Sequence, residues 1–250
     1  MGALKTLTRR TFLIGSASIA GGVAFGVYTA RTPHENPLAR VATDGEAVFN
    51  PWVKVSRAGI TLIAPHADVG QGVQHMQLTL IAEELDVDYN QFTAAFGQPD
   101  AAYYNTAMGA EMAPFRSQDS SIVAELARSA FGTLSKVVGL QGTGGSSSVP
   151  DSFDKLREAG AVARETLKQA AAVQTGEPIE QLRTERAAVI TRGGKRLPYT
   201  ELAELAATLE PVTRVALRPP ETWRLIGKPT VRCDMVEKCT GTLTYGIDLQ

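Results

Sequence analysis

Apolar residues alternate with polar ones at several places along the chain, and this period of two predicts β-strands. Val53 and Val55 precede the turn at 56–59, and Ile60 and Leu62 follow it. Two alternating runs on either side of a short turn are typical of a β-hairpin. The sequence therefore predicts an antiparallel pair of strands around this turn.

Other stretches repeat apolar residues at helical spacing and predict amphipathic helices. The first covers residues 74–85, where the apolar stripe includes Ile81 and the pair Glu83-Glu84 is interpreted as a solvated face. A long helix rich in Ala, Arg, Glu, Leu and Lys is predicted over 151–173. A further helix is predicted over 122–138, with an apolar face made of Ile122, Leu126, Phe131, Leu134 and Val138.

Shorter segments complete the predicted fold. Strands are predicted over 92–96 and 243–247, a small hairpin begins at 187–190, and a short helix opened by proline covers 198–209. Residues 98–116 carry too many Ala, Gly, Pro and Asn for a regular element and are expected to form a loop. Together these segments predict an α+β fold, with short antiparallel hairpins packed on two or three amphipathic helices.

Composition and charge exclude several classes of function. Lys and Arg number 25 against 26 Asp and Glu, so the chain has no basic excess for binding nucleic acid. Its two cysteines, Cys233 and Cys239, are six positions apart, which is neither a disulfide framework nor a zinc-site spacing. No metal ligand set is therefore expected among the protein side chains.

The N-terminus is typical of a targeting segment. A basic head is followed by an apolar run from Phe12 to Tyr28 that is rich in Gly, Ala and Ser. The head contains Thr8-Arg9-Arg10-Thr11-Phe12-Leu13, which resembles the twin-arginine signal that exports folded proteins. We therefore expect a periplasmic protein, with residues 1–30 either cleaved or retained as an inner-membrane anchor. Export in the folded state favours a protein that receives a cofactor in the cytoplasm.

The first candidate cofactor loop is Pro65-His66-Ala67-Asp68-Val69-Gly70-Gln71-Gly72, directly before a predicted helix. Gly70 and Gly72 allow a sharp turn and close approach of the backbone to a ligand. The Gln71 amide offers one acceptor and two donors to a planar heterocycle, and the following helix N-terminus suits a phosphate. A tight strand-to-helix turn without a ligand is the alternative interpretation.

The second candidate loop runs over 142–151 and contains Gly144 and the run Ser146-Ser147-Ser148 before the long helix. Hydroxyl and backbone donors in a flexible loop can hold an anion. The alternative is ordinary helix capping, with Ser148 as N-cap. Because Asp151 and Asp154 would repel a phosphate at the helix itself, the anion is expected over the three serines.

Several further sequence motifs occur along the chain in the order in which they occur in one protein family. They are Phe49-Asn50-Pro51-Trp52-Val53, Ala82-Glu83-Glu84-Leu85-Asp86-Val87, Thr143-Gly144-Gly145-Ser146-Ser147-Ser148, Arg224-Leu225-Ile226-Gly227-Lys228-Pro229, and Lys238-Cys239-Thr240-Gly241 with Tyr245-Gly246-Ile247-Asp248. With Val69-Gly70-Gln71-Gly72, this series resembles the molybdopterin-binding large subunit of the xanthine dehydrogenase and aldehyde oxidase family. The branch that it resembles is the isoquinoline 1-oxidoreductase beta-subunit type.

The resemblance implies a cofactor, a reaction and partners. Gly70, Gln71 and Gly72 would contact the pterin of the molybdenum cofactor. Gly144 and the run Ser146-Ser147-Ser148 would receive its dinucleotide part, which we expect in the cytosine form. The implied reaction is hydroxylation of an aldehyde or N-heterocycle, with electrons passing to a 2Fe-2S small subunit.

The resemblance covers only the N-terminal part of such subunits. After the signal or anchor over 1–30 and a proline-containing linker over 31–50, it implies a partial molybdopterin-binding domain over 51–220 and the start of an alpha/beta hammerhead domain over 221–250. The family's catalytic glutamate lies beyond these segments, so no catalytic residue is assigned. We therefore expect no turnover from this chain without the remainder of the subunit. The competing hypothesis is a truncated, cofactor-free exported protein that acts as a non-catalytic interaction module.

Overall fold

The computed structural model describes residues 31–249 of the chain. The predicted twin-arginine segment over 1–30 lies outside the described residues. Within the described range, no helix has both the length and the apolar character needed to cross a membrane.

The larger sheet has the strand order β1-β2-β3-β4, formed by Ala47–Asn50, Val53–Ser56, Gly59–Ala64 and Thr93–Phe96. The pairs β1–β2 and β2–β3 are antiparallel, which confirms the predicted hairpin. The pair β3–β4 is parallel, because helix α1 (Val73–Leu85) carries the chain back across the sheet. The expectation of antiparallel pairs alone is therefore wrong at β4.

The other helices follow in chain order. They are α2 (Thr106–Glu111), α3 (Ile122–Val137), α4 (Ser148–Thr175), α5 (Tyr199–Ala206) and α6 (Met235–Thr240). A second sheet consists of β5 (Arg183–Thr184), β6 (Ala188–Ile190) and β7 (Arg196–Pro198), all antiparallel, as the predicted small hairpin requires. The α+β class is confirmed.

The main core lies between the larger sheet and helices α1, α4 and α5. Helices α1 and α4 approach so closely at Gly160 that an added Cβ would lie 2.4 Å from the Ile81 carbonyl oxygen. Only glycine fits this crossing without movement of one helix. This crossing holds the two helices against each other, and their N-terminal ends carry the two candidate loops.

Two segments differ from the predicted elements. The predicted loop over 98–116 contains a 3-10 helix, Ala101–Tyr103, and helix α2. Asn105 begins α2 by accepting a hydrogen bond from the Met108 N–H, a capping role that local composition did not reveal. The predicted strand over 243–247 is replaced by a 3-10 helix, Gly246–Asp248, and the described residues do not confirm a hammerhead domain.

Helix α3 is oriented opposite to the prediction. Its buried residues are the small ones, Ala124, Gly132 and Ser135, which face α2. Of the predicted apolar face, Phe131 is half-buried, whereas Ile122, Leu126, Leu134 and Val138 are exposed. The reason is a tight helix crossing, because a Cβ added at Gly109 of α2 would lie 2.5 Å from the Ser135 Cβ.

The pair Glu83-Glu84 is fully buried, so the predicted solvated face is wrong. The Glu84 carboxylate accepts hydrogen bonds from Arg157 and Arg164 of α4. The Glu83 carboxylate accepts backbone N–H groups of residues 224–226. Helix α1 is covered by α4 on one side and by the chain after residue 210 on another, so its polar face lies inside the protein.

Candidate functional site

The two predicted cofactor loops meet at one cavity of about 520 Å³. They are tied together by a hydrogen bond of 3.0 Å from the Ala67 N–H to the Thr143 hydroxyl. Gly70 and Ser147 are predicted site residues that do not line this cavity. The predicted site residues that do line it are Gln71, Gly72, Gly144, Ser146 and Ser148. They are joined by Val69, Val73, Met76, Thr143 and Val149, which were not predicted to bind the cofactor.

The first loop is shaped by its glycines and by Asp68. Gly70 and Gly72 have φ angles of 103° and 85°, in the region that favours glycine. Asp68 accepts the N–H groups of Gly70 and Gln74 at 2.7 and 3.2 Å. Burial raises the pKa of Asp68, but these hydrogen bonds and the Arg232 charge lower it more, so Asp68 is an anion at neutral pH. A phosphate at the N-terminus of α1 would meet this carboxylate, which argues against the predicted phosphate role there.

The Gln71 amide is partly engaged within its own loop. Its Oε1 accepts the Val69 N–H at 2.7 Å, and its Nε2 donates to the Ala67 carbonyl at 3.3 Å. An amide nitrogen carries two hydrogens and an amide oxygen two lone pairs, so each atom keeps capacity for a ligand. Gln71 therefore lies at the cavity with its orientation already set by the loop.

The second loop passes through the left-handed region at Gly145 and Ser146, both with φ 57°. Ser147 is buried; its hydroxyl accepts from Asn105 Nδ2 at 2.9 Å and donates to the Gly144 carbonyl at 2.7 Å. Ser147 thus holds the loop's shape and is not accessible to a ligand. It also occupies the N-cap position predicted for Ser148, and its side chain makes no capping bond within the described part of the chain.

The N-terminus of α4 therefore opens toward the cavity without a capping side chain among the described residues. Helix α4 has 28 residues, and Ser148 and Val149 in its first turn line the cavity. The first backbone N–H groups of a helix have no partner within the helix and favour an anion.

The predicted repulsion by Asp151 is offset by its neighbours. Lys155 Nζ lies 2.8 Å from both Asp151 carboxylate oxygens, and Thr106 donates to Asp151 through its N–H and hydroxyl at 2.7 and 2.9 Å. Burial lowers the pKa of Lys155, while the charge of Asp151 opposes this change. Asp154 is exposed to solvent, which screens its charge. The positive end of α4 is therefore not neutralised by the first-turn acids.

His66, a buried residue of the first loop, lies close to Asp151 of the second loop. Sequence reasoning missed this contact. His66 Nε2 lies 3.6 Å from Asp151 Oδ2, and within residues 31–249 neither ring nitrogen of His66 has a hydrogen-bond partner. Burial lowers the pKa of His66; the Asp151 charge opposes this and the Lys155 charge adds to it. No spacing rule links residues 66 and 151, because only the α1–α4 crossing brings them together.

The C-terminal segment also contacts the first loop. Arg232 Nη1 donates to the Gly70 carbonyl at 3.0 Å, and its guanidinium pairs with Asp234 at 2.8 Å. His75 Nε2 lies 2.9 Å from the Thr230 hydroxyl. Gly70 lines a second cavity of about 550 Å³ between this segment and the loop. The sequence had not indicated that residues after 227 reach the candidate site.

The chain is similar in sequence to subunits of known oxidoreductases. This chain is 28% identical over 98% of its length to the beta subunit of isoquinoline 1-oxidoreductase from Brevundimonas diminuta. It is 27% identical over 97% of its length to a membrane-bound aldehyde dehydrogenase (pyrroloquinoline-quinone) of Gluconacetobacter polyoxogenes. It is 30% identical over 88% of its length to a nicotinate dehydrogenase polypeptide, the B component of that enzyme, from Pseudomonas putida. The resemblance to large subunits of the isoquinoline 1-oxidoreductase type is therefore confirmed.

The chain spans only 32%, 28% and 16% of these relatives, respectively. Partial coverage agrees with the expectation that the chain corresponds to one part of a larger subunit. The structure of quinoline 2-oxidoreductase from Pseudomonas putida 86 overlaps 61% of this chain and 15% of that protein, at 16% identity and a TM-score of 0.37. An overlap of this quality does not assign the fold. No family model matches the sequence.

Proposed function

We propose that this chain forms one side of a molybdopterin site in an oxidoreductase subunit that acts on aldehydes or N-heterocycles. The observation that carries the proposal is the cavity in which the open N-terminus of α4 meets the Gln71 loop. The relatives' names support the substrate class, since isoquinoline and nicotinate are N-heterocycles and the remaining name specifies an aldehyde. The name of the aldehyde dehydrogenase also specifies a quinone cofactor, so the choice of molybdopterin depends on the loop motifs.

The two loops fit different parts of the cofactor. The N–H groups of Ser148 and Val149 and the hydroxyls of Ser146 and Ser148 suit its phosphates, because they combine donors with a positive helix end. The Gln71 amide suits the edge of the pterin, and the glycines beside it let the ring approach the backbone. Ser147 acts indirectly by holding the turn, which revises its predicted contact with the dinucleotide.

The bound cofactor would supply the two-electron chemistry of the oxidation. This chain's residues would bind it, orient it and exclude water on one side. We assign no general base here, since the family glutamate implied by the resemblance lies outside the matching segments. A 2Fe-2S small subunit as electron acceptor, the cytosine dinucleotide form and export by the twin-arginine route are parts of the same proposal.

Purification from the native host, followed by metal and nucleotide analysis, tests the proposal. We expect molybdenum and a released cytidine nucleotide in the complex that contains this chain. Ser148→Glu should abolish both, because it places a negative charge at the phosphate end, whereas Ser117→Glu at an exposed site should change neither. Bound pyrroloquinoline quinone, or a well-expressed complex without molybdenum, would overturn the proposal and favour the non-catalytic interaction module.

A turnover assay tests the incompleteness of the site. The purified 250-residue chain, supplied with an artificial electron acceptor, should oxidise neither aldehydes nor N-heterocycles. Measurable turnover by the chain alone would refute the proposal of a half-site.

A further inference from the structure

Helix α3 presents an exposed apolar face on the side away from α2. The face consists of Ile122, Val123, Leu126, Leu134 and Val138, whose exposed fractions are 79%, 65%, 65%, 55% and 65%. Single exposed apolar residues are common on protein surfaces, but five large ones along one side of a helix indicate an interaction surface. Because the same helix buries only Ala124, Gly132 and Ser135, its large side chains contribute little to the core described here.

We propose that the α3 face is the interface with the polypeptide that corresponds to the unmatched part of the relatives. This inference rests on the proposed function, because it names where the rest of the subunit joins the half-site. Nearly the whole chain aligns with relatives of which it covers 32% or less. The unmatched part of each relative is therefore more than twice as long as the part that this chain matches. We infer that this unmatched part packs on an apolar surface of the matched part.

The charges around the α3 face favour an uncharged, tightly packed contact. Glu125 and Arg128 pair with each other at 2.7 Å, and Arg128 also donates to the Arg116 carbonyl. These charges are satisfied within this chain and leave the stripe itself apolar. Interfaces between permanently associated polypeptides resemble a protein core and are more apolar than transient ones.

The position of the face relative to the cavity supports the same occupant. The C-terminal end of α3 leads through Leu140, whose carbonyl accepts the Asn105 N–H, into the second cofactor loop. Gly142 in that loop packs against Met108 of α2, where an added Cβ would lie 2.7 Å from the sulfur. Val138, at the end of the α3 face, is thus four residues along the chain from Gly142, where the loop that forms one wall of the half-built site begins.

The test is affinity purification of the tagged chain from its native host, with peptide mass spectrometry of whatever co-purifies. Wild type is compared with the double variant Leu126→Ser and Leu134→Ser, and with the control variant Val173→Ser on α4, which is 60% exposed. We expect a polypeptide similar in sequence to the unmatched part of the relatives, recovered at least about tenfold less with the double variant. Recovery with the control variant should equal that of wild type.

Cysteine labelling gives a second measurement that does not depend on the double variant's folding. Leu126→Cys in a background with Cys233→Ser and Cys239→Ser should react with maleimide in the purified chain and be protected in the complex. Equal reactivity in both would overturn the inference, as would equal recovery with the double variant, a symmetric dimer of this chain, or no co-purifying polypeptide of the stated similarity. Molybdenum analysis of the same samples reports separately on the proposed function.

Discussion

Glu84→Gln is expected to destabilise the protein strongly, because Glu84 is the buried acceptor for two arginines of α4. Its Oε1 lies 2.8 Å from Arg157 Nη2, and its Oε2 lies 3.1 Å from Arg164 Nη1. It also accepts the backbone N–H of Arg218 at 3.0 Å. Glutamine has almost the same shape, but it removes the charge. It also replaces one acceptor oxygen by an NH2 group, which would face the N–H donors of the arginines.

The magnitude follows from the burial of all partners. The Arg157 and Arg164 side chains are each 8% exposed and Glu84 is 0% exposed, so solvent cannot replace the lost charge. Removing one partner of a buried ion pair costs about 3–5 kcal/mol. We expect the lower end, because Arg164 keeps a second carboxylate, Glu165, at 2.9 Å. Such a loss is a large part of a typical folding free energy of about 5–15 kcal/mol.

The assay is urea unfolding of the 250-residue chain, followed by circular dichroism at 25 °C. The matched control is Glu204→Gln, whose carboxylate pairs with Arg57 at 2.7 Å on an exposed surface. The control should cost far less than Glu84→Gln, because solvent screens an exposed ion pair, and added salt should reduce even that loss. Equal losses for the two variants would refute the account of Glu84 as a buried charge acceptor.

The remaining predictions concern the helix crossing and the acid sensitivity of the fold. Gly160→Ala should lower the free energy of unfolding by about 1–3 kcal/mol, since the methyl group would collide with the Ile81 carbonyl. Gly246→Ala, with open space around it, should change the free energy of unfolding by less than about 0.5 kcal/mol; equal effects of the two variants would contradict the packing argument. Burial raises the pKa of Asp86, but the Arg218 charge and hydrogen bond lower it more, so its folded pKa is below its ordinary value. The stabilisation from Asp86 should thus be complete at neutral pH and lost as the pH falls below about 3.9 through the folded pKa. Urea midpoints of wild type and Asp86→Asn should converge in acid, and a constant difference down to the acid transition would contradict this assignment.

Local patterns in the sequence were sufficient for most of the elements. The hairpin of β2 and β3, helices α1 and α3, and the strand Thr93–Phe96 follow from the spacing of apolar residues, whereas α4 follows from its composition and α5 from the proline at its start. The positions of the two loops were also predictable, because clusters of glycine and serine interrupt regular structure. The short helix α2 escaped prediction, because the Gly, Pro and Asn residues around it indicated a loop and the Asn105 cap was not recognised.

Only the tertiary structure decided which side of each helix is buried and which distant groups meet. Hydrophobic periodicity shows that α3 has an apolar face, but the close contact of Gly109 with Ser135 turns that face outward. Periodicity likewise assigned Glu84 to solvent, whereas arginines 73 and 80 residues later in the chain enclose it. In the candidate site, the sequence by itself determined the glycine and serine loops. The α1–α4 crossing determined that they share one cavity, because contacts between residues far apart in the chain have no local signal.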